Sequence, residues 1–429
     1  MNTNLVRTII DESSETVDWL MDNGMKLNLI EPGVGGAYVH IGLPTTLHGY
    51  VEGGTVAITK LIEKFESKGG KVMFSTPAKE LMVDENGNVA GVKAQKEDGT
   101  MLEISAEAVV VATGGYAGNE DMLKEHLGSK YTMGQIMNNT GDGINMAWAA
   151  GADEYGIETM HYFAQNFTAE ETEALVSKLG PEFWNLTRFS AYPHLRVNLK
   201  GQRFDDENNV TNYAIHGAQI HMQPEQTEFL IIDQGALDQI AEKGYASIES
   251  HYDSFEGNRN FYMEFNEPCD TDVLIEQEST PVDYVPLLEG ALETVVVAKG
   301  NTIEELANEM GVDPAILQDT VKQYNEAAET GEDKLFFGDG DNFISVQDGP
   351  YYAVKYVARN LSSLGGVRIN EKIEAVDSFG DPIPGLYVAG ADAGGMYGLA
   401  YVDFEGGTLG FAYTSGRLAG ENAVKHTNK

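Results

Sequence analysis

Cysteine is almost absent from this chain of 429 residues: Cys269 stands alone, which excludes an internal disulfide framework and any cysteine-rich zinc or iron–sulfur site. The nine histidines are scattered, with no His-x-x-x-His pair to hold a metal. Basic side chains are scarce as well. There are 28 Lys and Arg against 67 Asp and Glu, a formal charge of −39, so a phosphate backbone or an anionic leaflet would be repelled. Nucleic-acid and membrane partners are therefore not expected. Long apolar runs are missing: nothing approaches the ~18 residues of a membrane span. The opening Met1-Asn-Thr-Asn-Leu-Val-Arg7 has neither the basic start nor the apolar run of a signal peptide, which favours a cytoplasmic location. Glycine is what the chain has in excess, 48 residues clustered at strand-like runs where a backbone turns sharply or approaches a ligand.

Along the chain, Thr8 to Asn23 has a helix-like pattern, a Gly-rich loop follows at Gly33-Val-Gly-Gly-Ala37, and Ile58, Leu61, Ile62 and Phe65 fall at helical spacing. Lys71 to Phe74 reads as a strand. Two further runs bracketed by Asn86-Gly87 and Asp98-Gly99 read as a meander with primed hairpin turns. Ala108-Val-Val-Val-Ala-Thr-Gly-Gly115 has branched apolar residues without alternation, the pattern of a strand buried on both faces of an α/β sheet. From about Gly151 to Asn342 aromatics and acids mix, and two helices stand out, one capped by Thr302 with Glu305 and one by Asp313-Pro314. The glycine pattern then returns at Leu364-Gly-Gly-Val367, Gly385-Leu-Tyr-Val-Ala-Gly390 and Gly406-Gly-Thr-Leu-Gly410, the last opening a helix through Ala423.

Ala112-Thr-Gly-Gly115 and Val388-Ala-Gly-Ala-Asp392 have the form of strand ends that meet a nucleotide cofactor, or equally of tight structural turns. Asp142, in Thr140-Gly-Asp-Gly143, could accept cofactor hydroxyls or cap the helix that follows. Gly407-Thr408-Leu409 at a helix start would offer amides and a positive dipole end to a reduced flavin, or be an ordinary Gly-rich N-terminus.

In order, these pieces resemble the flavin-dependent reductases and dehydrogenases that include soluble fumarate reductase, urocanate reductase and the 3-ketosteroid dehydrogenases. The resemblance runs over almost the whole chain. It rests on Thr76-Pro-Ala78, Ala112-Thr-Gly-Gly-Tyr-Ala-Gly-Asn119, Thr140-Gly-Asp-Gly143, Val197 to Phe204 with Glu207, Leu364-Gly-Gly-Val367 with Gly366, Gly385 to Gly390, and Gly406 to Asn422. It implies an α/β fold: a discontinuous Rossmann-like flavin-binding domain, residues 1–150 and 345–429, with an inserted α+β cap domain over residues 151–344 that closes on the substrate. It implies FAD as cofactor. The segments around Ala78, Thr113 with Gly114, and Gly141 with Asp142 would line its adenosine and pyrophosphate side, Asp392 would meet the ribityl chain and Thr408 and Leu409 the isoalloxazine, with Gly366, Gly390 and Gly407 as further cofactor-binding residues. The partners implied are a small unsaturated substrate and an electron donor.

Two departures qualify the likeness. The family opens with a strand, a Gly-x-Gly-x-x-Gly turn and a later acid; this chain has no such sequence, so it is expected to start late relative to its relatives and to hold FAD weakly by itself. The cationic groups with which soluble fumarate reductase holds its dicarboxylate correspond here to Phe163, Thr211, Ser362 and Tyr401, none of which is a cation. The expected reaction is hydride transfer to an activated carbon–carbon double bond, that of an enoate-type reductase acting on a substrate other than fumarate, with Tyr401 handling the proton. Arg203, Tyr213 and Arg188 are the further candidates, though Arg203 could merely brace the cap through Glu207. The alternatives are a 3-ketosteroid-type dehydrogenase, or a truncated, catalytically silent fragment.

Overall fold

The computed structural model describes residues 1–29, 46–128, 131–248, 280–398, 400–402 and 406–428, without the side chains of Ala164, Ala191, Val210, Thr211, Tyr213 and Ala246. The Gly33 to Ala37 loop and Cys269 lie outside the described residues. The chain is a mixture of helices and sheets divided into two compact units, one made of Met1–Leu29, Thr46–His161 and Asn360–Lys429, the other containing Tyr162–Arg359. The borders thus fall inside two strands rather than at the composition changes near 150 and 344. Among the described residues, no helix is long and apolar enough to cross a membrane.

In the first unit, helix α1 (Thr3–Asp22) is capped by Asn2, whose side chain accepts from the amides of Asn4 and Leu5. Helix α2 (Gly54–Ser67) forms where the apolar spacing predicts it, yet only Ala57 is buried, while Ile58 and Phe65 are largely exposed. The segment expected as a strand, Lys71 to Phe74, forms none; Met73 and Phe74 are exposed, and a strand without a neighbour gains no ladder hydrogen bonds. Strands β1 (Ala78–Val83), β2 (Val89–Gln95) and β3 (Met101–Ser105) make the expected antiparallel meander. Its turns are not the primed type: only Gly87 and Gly99 have positive φ, and their amides donate to Asp84 and Lys96 three residues back.

Strand β4 (Val109–Val111) is short and runs parallel to a later strand, Pro382–Val388; Val110 stays exposed, so β4 is covered on one face and not both. Helix α3 (Asp142–Ala149) starts after Gly141, which takes a left-handed φ of 78°. Asp142 is therefore the first helical residue and not the cap.

The second unit is built on an antiparallel sheet. Strand β5 (Met160–Asn166) begins it, followed by β6 (Leu195–Asn198), helix α4 (Tyr213–His221), β7 (Thr227–Asp233), β8 (Val297–Gly300), helix α5 (Pro314–Thr330) and β9 (Tyr351–Ser363). The order is β8-β9-β7-β6, with β5 also paired to β9. Every residue of β7 is buried. Leu230 and Ile232 join one apolar cluster and Phe229 and Ile231 another, so alternation along the strand shows a sheet covered on both faces.

Returning to the first unit, β10 (Gly366–Arg368) pairs in parallel with β12 (Ala393–Gly394), between them comes β11 (Pro382–Val388), and helix α6 (Leu409–Thr427) ends the chain.

Candidate active site

The glycine-rich strand ends of the first unit converge on Asp392. This carboxylate is fully buried, and the amides of Thr113, Gly114 and Gly115 all donate to it, as does the Thr113 hydroxyl at 2.9 and 3.0 Å. Two consecutive glycines at φ 97° and 89° turn those amides to one side, making a small anion nest that the protein fills with its own carboxylate. Burial pushes the Asp392 carboxyl above the usual range while the amides pull it down. Thr113 then links onward, its hydroxyl accepting from the Gly143 amide in α3 at 3.1 Å.

Several glycines exist for packing. A Cβ on Gly114 would meet the Asn139 side chain at 2.8 Å, on Gly141 the Met122 sulfur at 2.4 Å, and on Gly366 the Asp392 carbonyl at 2.4 Å. Gly390 differs: its amide donates to Ser415 in α6, and a Cβ there would make only ordinary contact at 3.6 Å. Ala78 and Asp142 come together. Both line a cleft of ≈ 540 Å³ between β1 and α3, where Asp142 is exposed and accepts from Thr140 Oγ1 at 2.5 Å. An open cleft with a free-standing carboxylate fits the hydroxyl-bearing adenosine end of FAD. Thr408 precedes the first residue of α6, Leu409, so Gly407 to Leu409 stand at a helix N-terminus as expected.

Tyr401 is half-buried, and two other rings flank it. His161 lies 4.2 Å away between ring centroids, tilted by 56°, and Tyr397 stands edge-on at 5.3 Å. Both neighbours are buried. The frame behind them is rigid: Thr159 Oγ1 donates to the Gly398 carbonyl at 2.5 Å, the Leu364 amide donates to the Thr159 carbonyl at 2.9 Å, and a Cβ on Gly365 would lie 1.7 Å from the Gly156 carbonyl oxygen. Sequence reasoning missed His161. Its signal was weak, a histidine in the apolar run that opens β5.

The remaining candidates belong to the second unit. Arg203 is buried and committed: Nε donates to Glu207, Nη1 to Asp333 at 3.1 Å, and Nη2 to Glu207 and to Asp333 at 2.7 Å. Tyr324, Phe336 and Phe343 stack about its guanidinium. The hydrogen bonds tie Arg203 to Glu207 and Asp333 within this unit. Asp206, Glu207 and Asp333 bring carboxylate oxygens within 4.8 Å of one another; the same guanidinium pairs with Glu207 and Asp333, while Asp206 accepts from the backbone and side chain of Asn208. Arg188 is half-buried in the 3-10 stretch Gly180–Ala191, near the phenol of Tyr245. Tyr213 opens α4, and its side chain lies outside the described residues, like that of Thr211. Phe163 is buried on β5, and Ser362 donates to the Ser363 carbonyl at 3.1 Å. Burial, then the charge of Arg196, lowers the His194 pKa to about 3, so it supplies no cation.

The FAD binding domain family matches residues 2–403. The chain is 28% identical to the vinyl phenol reductase of Lactiplantibacillus plantarum over 432 residues, covering 99% of this chain and 80% of that protein. It is 27% identical to the urocanate reductase of Eggerthella lenta over 98% of its own length but only 61% of the relative's. Among solved structures, the open conformation of a flavocytochrome c3 fumarate reductase superposes with a TM-score of 0.62 at 25% identity, covering 99% of this chain and 64% of that one. The chain belongs to the FAD binding domain family.

Proposed function

We propose that the protein is an FAD-dependent reductase that saturates an activated, uncharged carbon–carbon double bond, with Tyr401 as the proton donor. The observation that carries this reading is the placement of Tyr401 between His161 and Tyr397, just ahead of the helix N-terminus at Leu409. In this reading the first unit is a discontinuous Rossmann-like flavin-binding domain and the second its substrate-capping insert. The parallel pairing of β4 with β11, and glycines at their carboxyl ends, support the former. Ala78 and Asp142 would hold the adenosine end of the cofactor, and Thr408 and Leu409 would face its ring system.

Bound and reduced, FAD supplies a hydride. The Tyr401 hydroxyl delivers a proton to the other alkene carbon, so hydride and proton together convert C=C to CH–CH, and the phenolate regains its proton from water. A carboxylate substrate would need cations, and the positions that correspond to the cationic groups of soluble fumarate reductase are Phe163, Thr211, Ser362 and Tyr401 here. An electron donor outside the chain completes the cycle.

The test is reduction of styrene, an enone and fumarate by the FAD-loaded protein with reduced viologen. The uncharged alkenes should turn over and fumarate should not, and Tyr401→Phe should lower turnover by ~10²-fold while leaving flavin absorbance unchanged. Turnover of fumarate at roughly 1 s⁻¹ or more, or full activity in the Phe variant, would overturn the reading. The second reading, desaturation of a cyclic ketone, rests on Tyr397 and Tyr401 standing side by side; oxidation of a 3-ketosteroid with an artificial acceptor would select it.

A further inference from the structure

Tyr401 stands in a stretch, residues 400–402, that belongs to no helix or strand, so no regular backbone ladder fixes where its phenol points. A side chain so placed has several rotamers open to it unless its neighbours exclude them. His161 is the closer of the two rings that flank it, 4.2 Å away and inclined by 56°, and is buried. Tyr397 stands edge-on at 5.3 Å, only four residues before Tyr401 in the same segment. His161 is anchored from outside that segment as well. Two residues before it, the Thr159 amide donates to the Gly156 carbonyl at 2.8 Å, and the Thr159 carbonyl accepts from the Leu364 amide at 2.9 Å. Between them, the Met160 sulfur accepts from Asn360 Nδ2 at 3.7 Å, and the same nitrogen donates to the Thr132 carbonyl at 2.8 Å. The Thr159 hydroxyl then reaches across to the Gly398 carbonyl, three residues before Tyr401, and ties the two ring-bearing segments together. All of these groups lie in the first unit.

We propose that His161 is a positioning residue for the proton transfer: its ring holds the Tyr401 phenol in the orientation that delivers the proton, and it acts on the reaction only through that phenol. This deepens, and rests on, the reductase reading above. A proton donor must lie within hydrogen-bond reach of the atom it serves, and a misplacement of about 1 Å costs ~10²-fold in rate. A group held by packing on a rigid support is the one that keeps such a geometry. What His161 contributes is a flat, buried surface against the phenol ring. Phenylalanine offers the same surface, whereas alanine leaves the phenol free to turn.

The experiment measures kcat and KM for styrene, with reduced viologen, on the FAD-loaded wild type, on His161→Ala, His161→Phe and Tyr401→Phe, and on the double variant that combines His161→Ala with Tyr401→Phe. His161→Ala should lower kcat by ~10-fold or more while KM stays within about threefold. His161→Phe should bring kcat back to within about threefold of wild type, and the double variant should be no slower than Tyr401→Phe alone. Should the alanine variant fail to fold, His161→Leu, which fills the volume without a planar ring, carries the same expectation. An unchanged kcat in the alanine variant would overturn the proposal. So would a His161→Phe variant as slow as the alanine one, which would mean that the imidazole itself takes part in the chemistry, or losses that add up in the double variant, which would mean that His161 acts by another route than Tyr401. Wild type that leaves styrene untouched, or Tyr401→Phe at full rate, would overturn the reductase reading, and this assignment with it.

Discussion

His216 sits in a cluster of charges that water does not reach. Arg196, Glu228 and His216 itself are almost wholly buried; His216 Nδ1 lies 3.4 Å from Asp205 and Nε2 3.4 Å from Glu228, while Arg196 Nη1 contacts the same Nε2 and Arg196 Nη2 donates to the carbonyls of Ser190 and Tyr192. Burial and Arg196 oppose protonation, but Glu228 and Asp205 outweigh them, and the pKa ends above 6.5. A folded-state pKa raised above the unfolded one contributes stability in full below the unfolded value and loses it as pH rises through the folded one. The urea midpoint of wild type relative to His216→Gln should therefore be highest below about 6.5 and decline at more alkaline pH. A difference that stays flat across that range would show that the imidazole is neutral throughout. Arg203 teaches a related point. The family position suggested chemistry, but only the structure shows that Asp333, 130 residues away, takes the other half of its guanidinium. Partners that distant leave no trace in local spacing, and the same holds for His161 beside Tyr401.

Elements were legible in proportion to how local their causes are. Thr302 and Asp313 cap their helices as read, because a cap needs only the next three residues. The reciprocal bond differs by one position, Glu305 accepting from the Asn301 amide rather than from that of Thr302. The meander also formed where its Gly turns suggested. Lys71 to Phe74 and the second face of β4 failed, since a strand exists only if another lies beside it, and no periodicity reports the neighbour. Glycine shows the same division. Gly365 and Gly416 look alike as letters, yet a Cβ at the former would strike the Gly156 carbonyl and at the latter would meet nothing within 4 Å, on the exposed side of α6. Opposite outcomes are expected in thermal melts. Gly365→Ala should destabilise by ~1–3 kcal/mol through the crowded crossing behind the aromatic triad, and Gly416→Ala should stabilise by up to ~1 kcal/mol through helix propensity. Equal shifts would mean that the crossing yields more than its geometry suggests.

For the molecule as a whole, two opposed properties meet in the first unit. The chain carries a formal charge of −39, yet Phe74, Met73, Ile58 and Phe65 stand exposed on and next to α2. At low ionic strength like charges keep two copies apart beyond the reach of apolar contact; at 1 M salt the screening length shrinks to ~3 Å and that barrier is gone. The protein should then behave as a colloid with inverted salt tolerance, monodisperse in dilute buffer and reversibly self-associating as sodium chloride is raised. Light scattering across a salt series would follow this, and Phe74→Ser should move the onset to higher salt. For anyone handling the protein, the usual remedy of adding salt to keep an acidic protein dispersed would be the step that brings it together.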